Sequence, residues 1–428
     1  MFRGLSALFA VIFLTACGGG GGGGSAPAPA PAPAPTPAAS VSLSADPLSV
    51  LLGNQTTLTW STANASSCAA SGAWSGSKAT SGSEDFTIDT TGDNQFILTC
   101  SGSGGSGSDS VTVEGYEETT GVSVDGYLVG ATIFYDENEN FILDESEVSS
   151  ITNESGGFTL RKNDAPLLSL GGEDLDTQKN FEDLLLINKS SSDLDFKSIT
   201  PITSVAAFLD NPQDIYSIFN IDQDIDLNSY DPVANKNNNH GSAIIYERGN
   251  QLTVLAYSIQ SVVNSQLSTT DTTQDFFLYI AQALAEEFNQ TNEPVNIEDE
   301  GLILNIINKS LQEKSLELAE DVKENMAKIL SSIVTLIQVR DLESADIALF
   351  NFATSTLITD LQSIANGSAS EDLVNNYEVD KVTEYVASNE DVPEEDLTPT
   401  ITAADDYSNI DEDTFLYIVS TLTINEKV

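Results

Sequence analysis

From residue 41 to residue 113, apolar and polar side chains alternate in short runs separated by clusters of Gly, Asn and Ser. The runs at 41–45, 56–60, 86–89, 95–100 and 110–113 are rich in Val, Thr, Leu and Ile, which predicts strands of an antiparallel sandwich. A second β region starts near Gly121. There, residues 126–135 alternate as one strand, 148–160 read as strand, turn, strand, and a further turn and strand follow through 170–188. Beyond Pro201 the apolar period changes from two to about 3.6. Ala319, Val322, Met326, Ile329, Ile333 and Ile337 form one helical stripe, and Leu342, Ala345, Leu349 and Phe352 form another. Further helices are expected near 242–267, 273–290, 297–312 and 371–387, the stretch before Asn366-Gly367 ending at that pair. The predicted fold is multidomain, with N-terminal all-β sandwiches over 41–115 and 121–199 followed by an all-α helical bundle over 200–388.

Ahead of the first strand, Arg3 and an apolar run over 5–14 lead into Leu14-Thr15-Ala16-Cys17 and seven glycines. The run is too short to cross a bilayer, which takes about 20 apolar residues, and reads as an export signal. It resembles the lipobox of bacterial lipoproteins. That resemblance makes residues 1–16 a signal peptide, Cys17 the acylated first residue of the mature chain, and the membrane a partner through the lipid. Gly18 after the cysteine implies sorting to the outer membrane, facing the periplasm or the cell surface. Residues 17–40, rich in Gly and then Ala-Pro, are an extended spacer.

Charge narrows the partners. With 65 acidic and 16 basic residues, the formal charge of -49 repels nucleic acid and anionic headgroups. Salt screens such a surface, as suits an exposed protein in salty surroundings. Residues 389–414 contain many acids and no Lys or Arg, so 389–428 is expected to be an acidic C-terminal segment with an apolar end.

Export places Cys68 and Cys100 in an oxidising compartment. In a Ser-, Gly- and Thr-rich β module this predicts a disulfide in preference to a metal site or a nucleophile. Leu58-Thr-Trp60-Ser, Ser67-Cys68-Ala-Ala-Ser-Gly, Trp74-Ser-Gly-Ser-Lys78 and Leu98-Thr-Cys100 resemble a bacterial immunoglobulin-like domain. The resemblance supports the bridge and implies that Trp60 packs beside it.

The sharpest chemical motif is Asp136-Glu-Asn138-Glu-Asn140-Phe-Ile142-Leu-Asp144-Glu-Ser-Glu147. Oxygen-bearing side chains fall at positions one, three, five, nine and twelve, the ligand spacing of an EF-hand-type Ca²⁺ loop. Asp136, Asn138, Asn140, the Ile142 carbonyl, Asp144 and both oxygens of Glu147 are the expected ligands. Phe141 stands where glycine usually makes the sharp turn. A left-handed backbone there costs about 1 to 2 kcal/mol, which sets the expected affinity at roughly 10⁻⁴ to 10⁻³ M. Gly130-Ala-Thr, this loop, Thr152, Gly156 and Phe158 resemble the calcium-binding B-type repeats of bacterial surface proteins and the related carboxypeptidase-regulatory-like sandwich. The resemblance implies a metal that rigidifies a β module. Residues 199–208 resemble the junction leading from such a unit into a helical region.

Other features are weaker. Asp222, Asp224, Asp226 and Asn228 are spaced like the start of another Ca²⁺ loop, but Val233 replaces its closing Glu, and a solvated turn with Asp231 capping a helix at Pro232 is expected. The single histidine, His240, is expected in a surface loop. One histidine and no free thiol in the mature domains leave little material for nucleophilic or zinc catalysis, so the chain is read as non-enzymatic. The expected function is adhesion or scaffolding by a lipid-anchored envelope protein whose calcium-stiffened β stalk presents the helical domain. A glycan-binding lipoprotein of an uptake system is the alternative, with Trp74, Tyr116 and Tyr127 as candidate stacking aromatics.

Overall fold

The computed structural model describes residues 34–190, 194–235, 240–269, 271–337, 345–367 and 371–389. The leader, Cys17, the spacer up to residue 33, Leu342 and the acidic segment after Asn389 lie outside the described residues. The chain divides between Gly115 and Tyr116 into two compact units. An N-terminal all-β region is followed by a helical region.

The first unit has eight strands: β1 (Ser40–Asp46), β2 (Ser49–Leu51), β3 (Gln55–Ala63), β4 (Ser67–Gly72), β5 (Gly76–Lys78), β6 (Ser81–Thr87), β7 (Gly92–Gly102) and β8 (Gly105–Tyr116). They form a three-stranded sheet, β1-β3-β6, and a five-stranded sheet, β2-β8-β7-β4-β5. The alternation in sequence becomes alternation in burial: Thr56, Leu58 and Trp60 of β3 face inward while Gln55, Thr57 and Thr59 face out. Leu43, Leu58, Ile88, Phe96, Leu98 and Val113 fill one core. Cys68 and Cys100 are direct cross-strand partners on β4 and β7 and form the disulfide. The end of the spacer belongs to this unit. Ala39 is buried, its N–H donates to the Gly105 carbonyl at 3.2 Å, and Gly104 lies so close to the Thr36 and Pro37 carbonyls that a Cβ would meet them at 2.3 and 2.2 Å.

The second unit opens with β9 (Glu118–Ser123), β10 (Leu128–Val129), β11 (Thr132–Tyr135), β12 (Ser149–Ile151), β13 (Gly157–Arg161), β14 (Leu167–Leu170), β15 (Glu173–Asp174), β16 (Leu185–Asn188) and β17 (Phe196–Ile199). The stretch expected as one strand over 126–135 is broken at Gly130, whose φ of 73° turns the chain between β10 and β11. One sheet runs β12-β11-β14-β16, a second β13-β9-β17 with β17 parallel to β9, and β10 pairs β15. Helices follow: α1 (Pro201–Ala206), α2 (Asp214–Ile218), α3 (Pro232–Asn235), α4 (His240–Leu267), α5 (Gln274–Thr291), α6 (Glu300–Glu313), α7 (Glu320–Leu336), α8 (Ala345–Ala353), α9 (Thr356–Ala365), α10 (Glu371–Asn375) and α11 (Val379–Asn389). His240, expected in a loop, is the first residue of α4. The helix expected over 371–387 is interrupted where Tyr377 turns inward and its hydroxyl donates to Asp360 at 2.7 Å.

The boundary read at residue 200 is a change of secondary structure and not a break in the core. Ile133, Tyr135, Leu167 and Leu186 from the sheet share one apolar cluster with Val205, Leu255, Phe276 and Ile280 from the helices. The polar joint lies along β16, an edge strand. The Leu185 N–H donates to Thr273 Oγ1 at 2.8 Å, and that hydroxyl donates back to the Leu185 carbonyl at 3.2 Å. Two residues on, the Ile187 N–H donates to Ser204 Oγ at 2.9 Å and the Ile187 carbonyl accepts from Thr203 Oγ1 at 2.8 Å. Thr200 and Thr203 also close a capping box at the start of α1, with Pro201 in its first turn.

A second polar joint is a buried acid. Asp125 Oδ1 accepts from Thr253 of α4 at 2.7 Å, while Oδ2 has no partner. Burial, and then the Asp174 carboxylate, push the Asp125 carboxyl well above the usual range. Among the described residues, the other ionisable groups around this site are Asp174 of β15, Asp176 just after it, and Tyr246 of α4.

Two outcomes follow. Thr273→Val keeps shape but leaves the Leu185 N–H and carbonyl buried and unpaired, so denaturant unfolding should show a loss of about 2–4 kcal/mol. Because the folded state holds the Asp125 proton that the unfolded chain releases near the ordinary carboxylate pKa, stability falls as pH rises from that value to the raised one. Asp125→Asn should abolish that part of the slope, its advantage over the wild type growing with pH in parallel melts.

Candidate metal centre

The 136–147 loop joins β11 to β12 and is tied from both ends by its own carboxylates. Asp136 is fully buried, and its Oδ1 and Oδ2 accept from the backbone N–H groups of Asn140 (3.0 Å) and Phe141 (2.8 Å). Glu147, also buried, reaches back with Oε1 to the Glu137 N–H (2.9 Å) and with Oε2 to the Asp144 N–H (3.0 Å). Between them the amide nitrogens of Asn138 and Asn140 converge on Asp144 Oδ2 at 2.6 and 3.0 Å. The Asn138 oxygen accepts from the Asn140 N–H, and the Asn140 oxygen from the Ile142 N–H, which fixes the inward curl of alternate residues. Asp136, Asn138, Asn140, Asp144 and Glu147 are therefore gathered around one turn of chain. The Ile142 side chain points to solvent and is 63% exposed.

The donor chemistry fits a hard cation. Carboxylates, amide oxygens and a backbone carbonyl are the ligands Ca²⁺ takes. The arrangement itself is one of hydrogen bonds. Among the described residues no group of three or more His, Cys, Asp or Glu is placed to hold a metal ion. Two of the five side chains are Asn, and both turn NH₂ toward Asp144, so a cation needs both amides rotated to present oxygen.

Phe141 adopts the left-handed backbone that its position demands, with φ 63°. The sequence offered no reason for an aromatic there; the structure does. Its ring lies 6.1 Å from that of Phe208 and packs with Ala207 on the small cluster of Phe134, Leu168, Leu185 and Ile187. The side chain anchors the loop to the chain just after α1. Two contacts outside the motif add to this: Asn163 donates to Glu137 Oε1 at 2.8 Å, and Lys189 pairs with Glu139 at 3.4 Å. These partners are distant in sequence, and no spacing rule points to them. Thr152 supports the neighbouring turn, donating to the Leu128 carbonyl at 2.6 Å and accepting from the Ala131 N–H at 2.8 Å.

Other candidates separate. Asp222 and Asp226 accept from the backbone N–H groups of Asp224 and Asn228, local turns with no closing acid, and Asp231 caps α3 by accepting from Ala234 at 2.9 Å. Trp74 is buried, edge-on to Trp60 at 5.5 Å, with Lys78 over its ring and its indole N–H on the Ile97 carbonyl at 3.0 Å. Tyr127 donates to Asp231 at 2.9 Å, and the Arg161 guanidinium covers one face of Tyr116. Of the three aromatics expected as a sugar platform, Trp74 is buried, while Tyr116 and Tyr127 are half-buried and engaged by Arg161 and Asp231.

No protein-family model matches the chain, and no curated protein matches it either.

The anchor role of Phe141 has a direct test. Phe141→Ala removes the Phe208 contact but keeps a Cβ in a left-handed position, whereas Phe141→Gly removes both. Phe141→Gly should therefore be the more stable of the two by roughly 1 kcal/mol in denaturant unfolding, the reverse of the usual order.

Proposed function

We propose that this chain is a lipid-anchored envelope or cell-surface protein, non-enzymatic, in which calcium stiffens the β part of the second unit and the helical region is presented for adhesion or scaffolding. In this reading Cys17 carries the lipid, the protein sits at the outer membrane, the first unit is an immunoglobulin-like module, and residues 121–199 are a B-repeat-like β module. The partner is a protein or a glycan, and nucleic acid is disfavoured by the charge of -49. Among the described residues no helix is long and apolar enough to cross a membrane.

The observation that carries the reading is the closed 136–147 loop. Its first and last acids already bridge the turn through four backbone N–H groups, so a cation finds the chain path formed. Stiffening follows from the packing. The loop is fastened through Phe141 to the residues after α1, so tightening it acts on the joint between sheet and helices.

Calcium titration of the full chain by calorimetry and thermal melting tests the proposal. The β region shares its core with the helices, and cutting it out would expose that core. At ten times a Kd of about 10⁻⁴ to 10⁻³ M, calcium should stabilise the second unit by roughly 1.4 kcal/mol. Asp136→Ala should show neither heat nor shift. A wild-type melt that calcium leaves unmoved would remove the metal from the proposal.

A further inference from the structure

We propose that a polar notch in the second unit, between α4, α9 and the loop before β16, binds a single neutral sugar ring. The notch has a volume of about 260 Å³. Tyr257, Gln260, Ser261 and Asn264 line it from one face of α4, Asp183 from the loop, and Gln362 from α9. Along 251–260 α4 is almost wholly buried, the setting in which an apolar stripe is expected. Here the stripe turns polar instead.

Some lining groups bond one another, Gln362 Nε2 donating to the Ser261 carbonyl and Thr269 Oγ1 to Asn264 Oδ1, both at 3.1 Å, but others are left over. Gln260 is 2% exposed; its Nε2 is engaged by the Asp271 carbonyl at 2.6 Å, and its Oε1 has no donor. The Asp183 carboxylate and the Tyr257 hydroxyl have no hydrogen bond to any described residue. A sealed acceptor without a donor is costly, and such groups ask for an explanation. The Tyr257 ring is held edge-on to Phe181 at 5.3 Å, and burial raises its hydroxyl above the ordinary pKa, so it stays a donor.

The wall chemistry selects the ligand. Among the described residues no Lys, Arg or His lines the notch, and the net charge of -49 repels phosphates and carboxylates. One carboxylate among neutral amides and hydroxyls falls short of the six or more hard oxygens that Ca²⁺ takes. The wall is mostly polar, which disfavours a lipid chain. A ring bearing several hydroxyls, each both donor and acceptor, matches unsatisfied acceptors at Asp183 and Gln260 beside the Ser261 hydroxyl and the second amide N–H of Asn264 and of Gln362, whose first donate to the Asp271 and Ser261 carbonyls. The volume lies below the roughly 300 Å³ at which sites for drug-sized ligands begin, which limits the occupant to one ring. The notch shares no residue with the 136–147 loop, so it is independent of calcium.

The test is calorimetry and saturation-transfer NMR on the full chain with D-glucose, D-galactose and D-mannose, alongside tetramethylammonium and inorganic phosphate. At least one hexose should bind saturably, in about the millimolar range common for small polar ligands. Asp183→Ala and Gln362→Ala should each weaken it about tenfold or more with an unchanged melting temperature. Ser265→Phe, at the edge of the notch, should abolish binding by filling it, and it decides the matter where either other variant melts early. The proposal is overturned if no hexose binds to natively melting protein, or if binding survives Ser265→Phe and so lies elsewhere. It is equally overturned if tetramethylammonium binds through Asp183 and no hexose does.

Discussion

A sheet must end somewhere, and an end strand buried under helices leaves backbone groups that water cannot reach. In the second unit β16 is such a strand. Leu185 and Ile187 present four outward N–H and carbonyl groups, and Thr273, Ser204 and Thr203 meet all four with hydroxyls. Everything else in this unit follows from that closure. The helices can lie directly against the sheet edge, the two halves can share one apolar core, and α1 is held where its residues also cap themselves.

The same logic gives the 136–147 loop its place. Phe141 sits in a conformation that disfavours any side chain, yet its ring reaches the cluster containing Leu185 and Ile187, the two residues whose backbone the hydroxyls close. Loop, edge strand and the start of the helical region are thus one piece of structure. A change in the loop is felt at the joint through packing, with no need for a moving part.

Much of this was legible in sequence. The alternation over 41–113 became strands with the expected faces, and the stripe from Ala319 to Ile337 became α7 and its flanks. Both signals are local, because burial of one face repeats at the period of the element. The tight turn at 136–147 was legible for the same reason, since the side chains that bond across it are close in the chain. What escaped is non-local. Nothing in Thr273 itself marks it as the partner of Leu185, Trp74 reads as a packed or partly exposed loop residue with no sign that Trp60 is its neighbour, and α1 to α3 are too short for a period to show. The polar stripe on α4 was visible as residues, but its meaning needed Asp183 and Gln362 beside it.

The distance along the chain between partners also sets the order of events during folding. The Leu185 to Thr273 bonds span 88 residues, Asp125 to Thr253 spans 128, and Lys179 reaches the Thr354 carbonyl across 175. Loops of such length must close before their contacts repay the lost entropy, which slows the nucleation of structure. The β strands of the second unit therefore emerge first and wait, with the edge of β16 open, until α1 and the start of α5 arrive. A chain synthesised from its N-terminus passes through that interval each time, and its formal charge of -49 makes separate copies repel one another meanwhile.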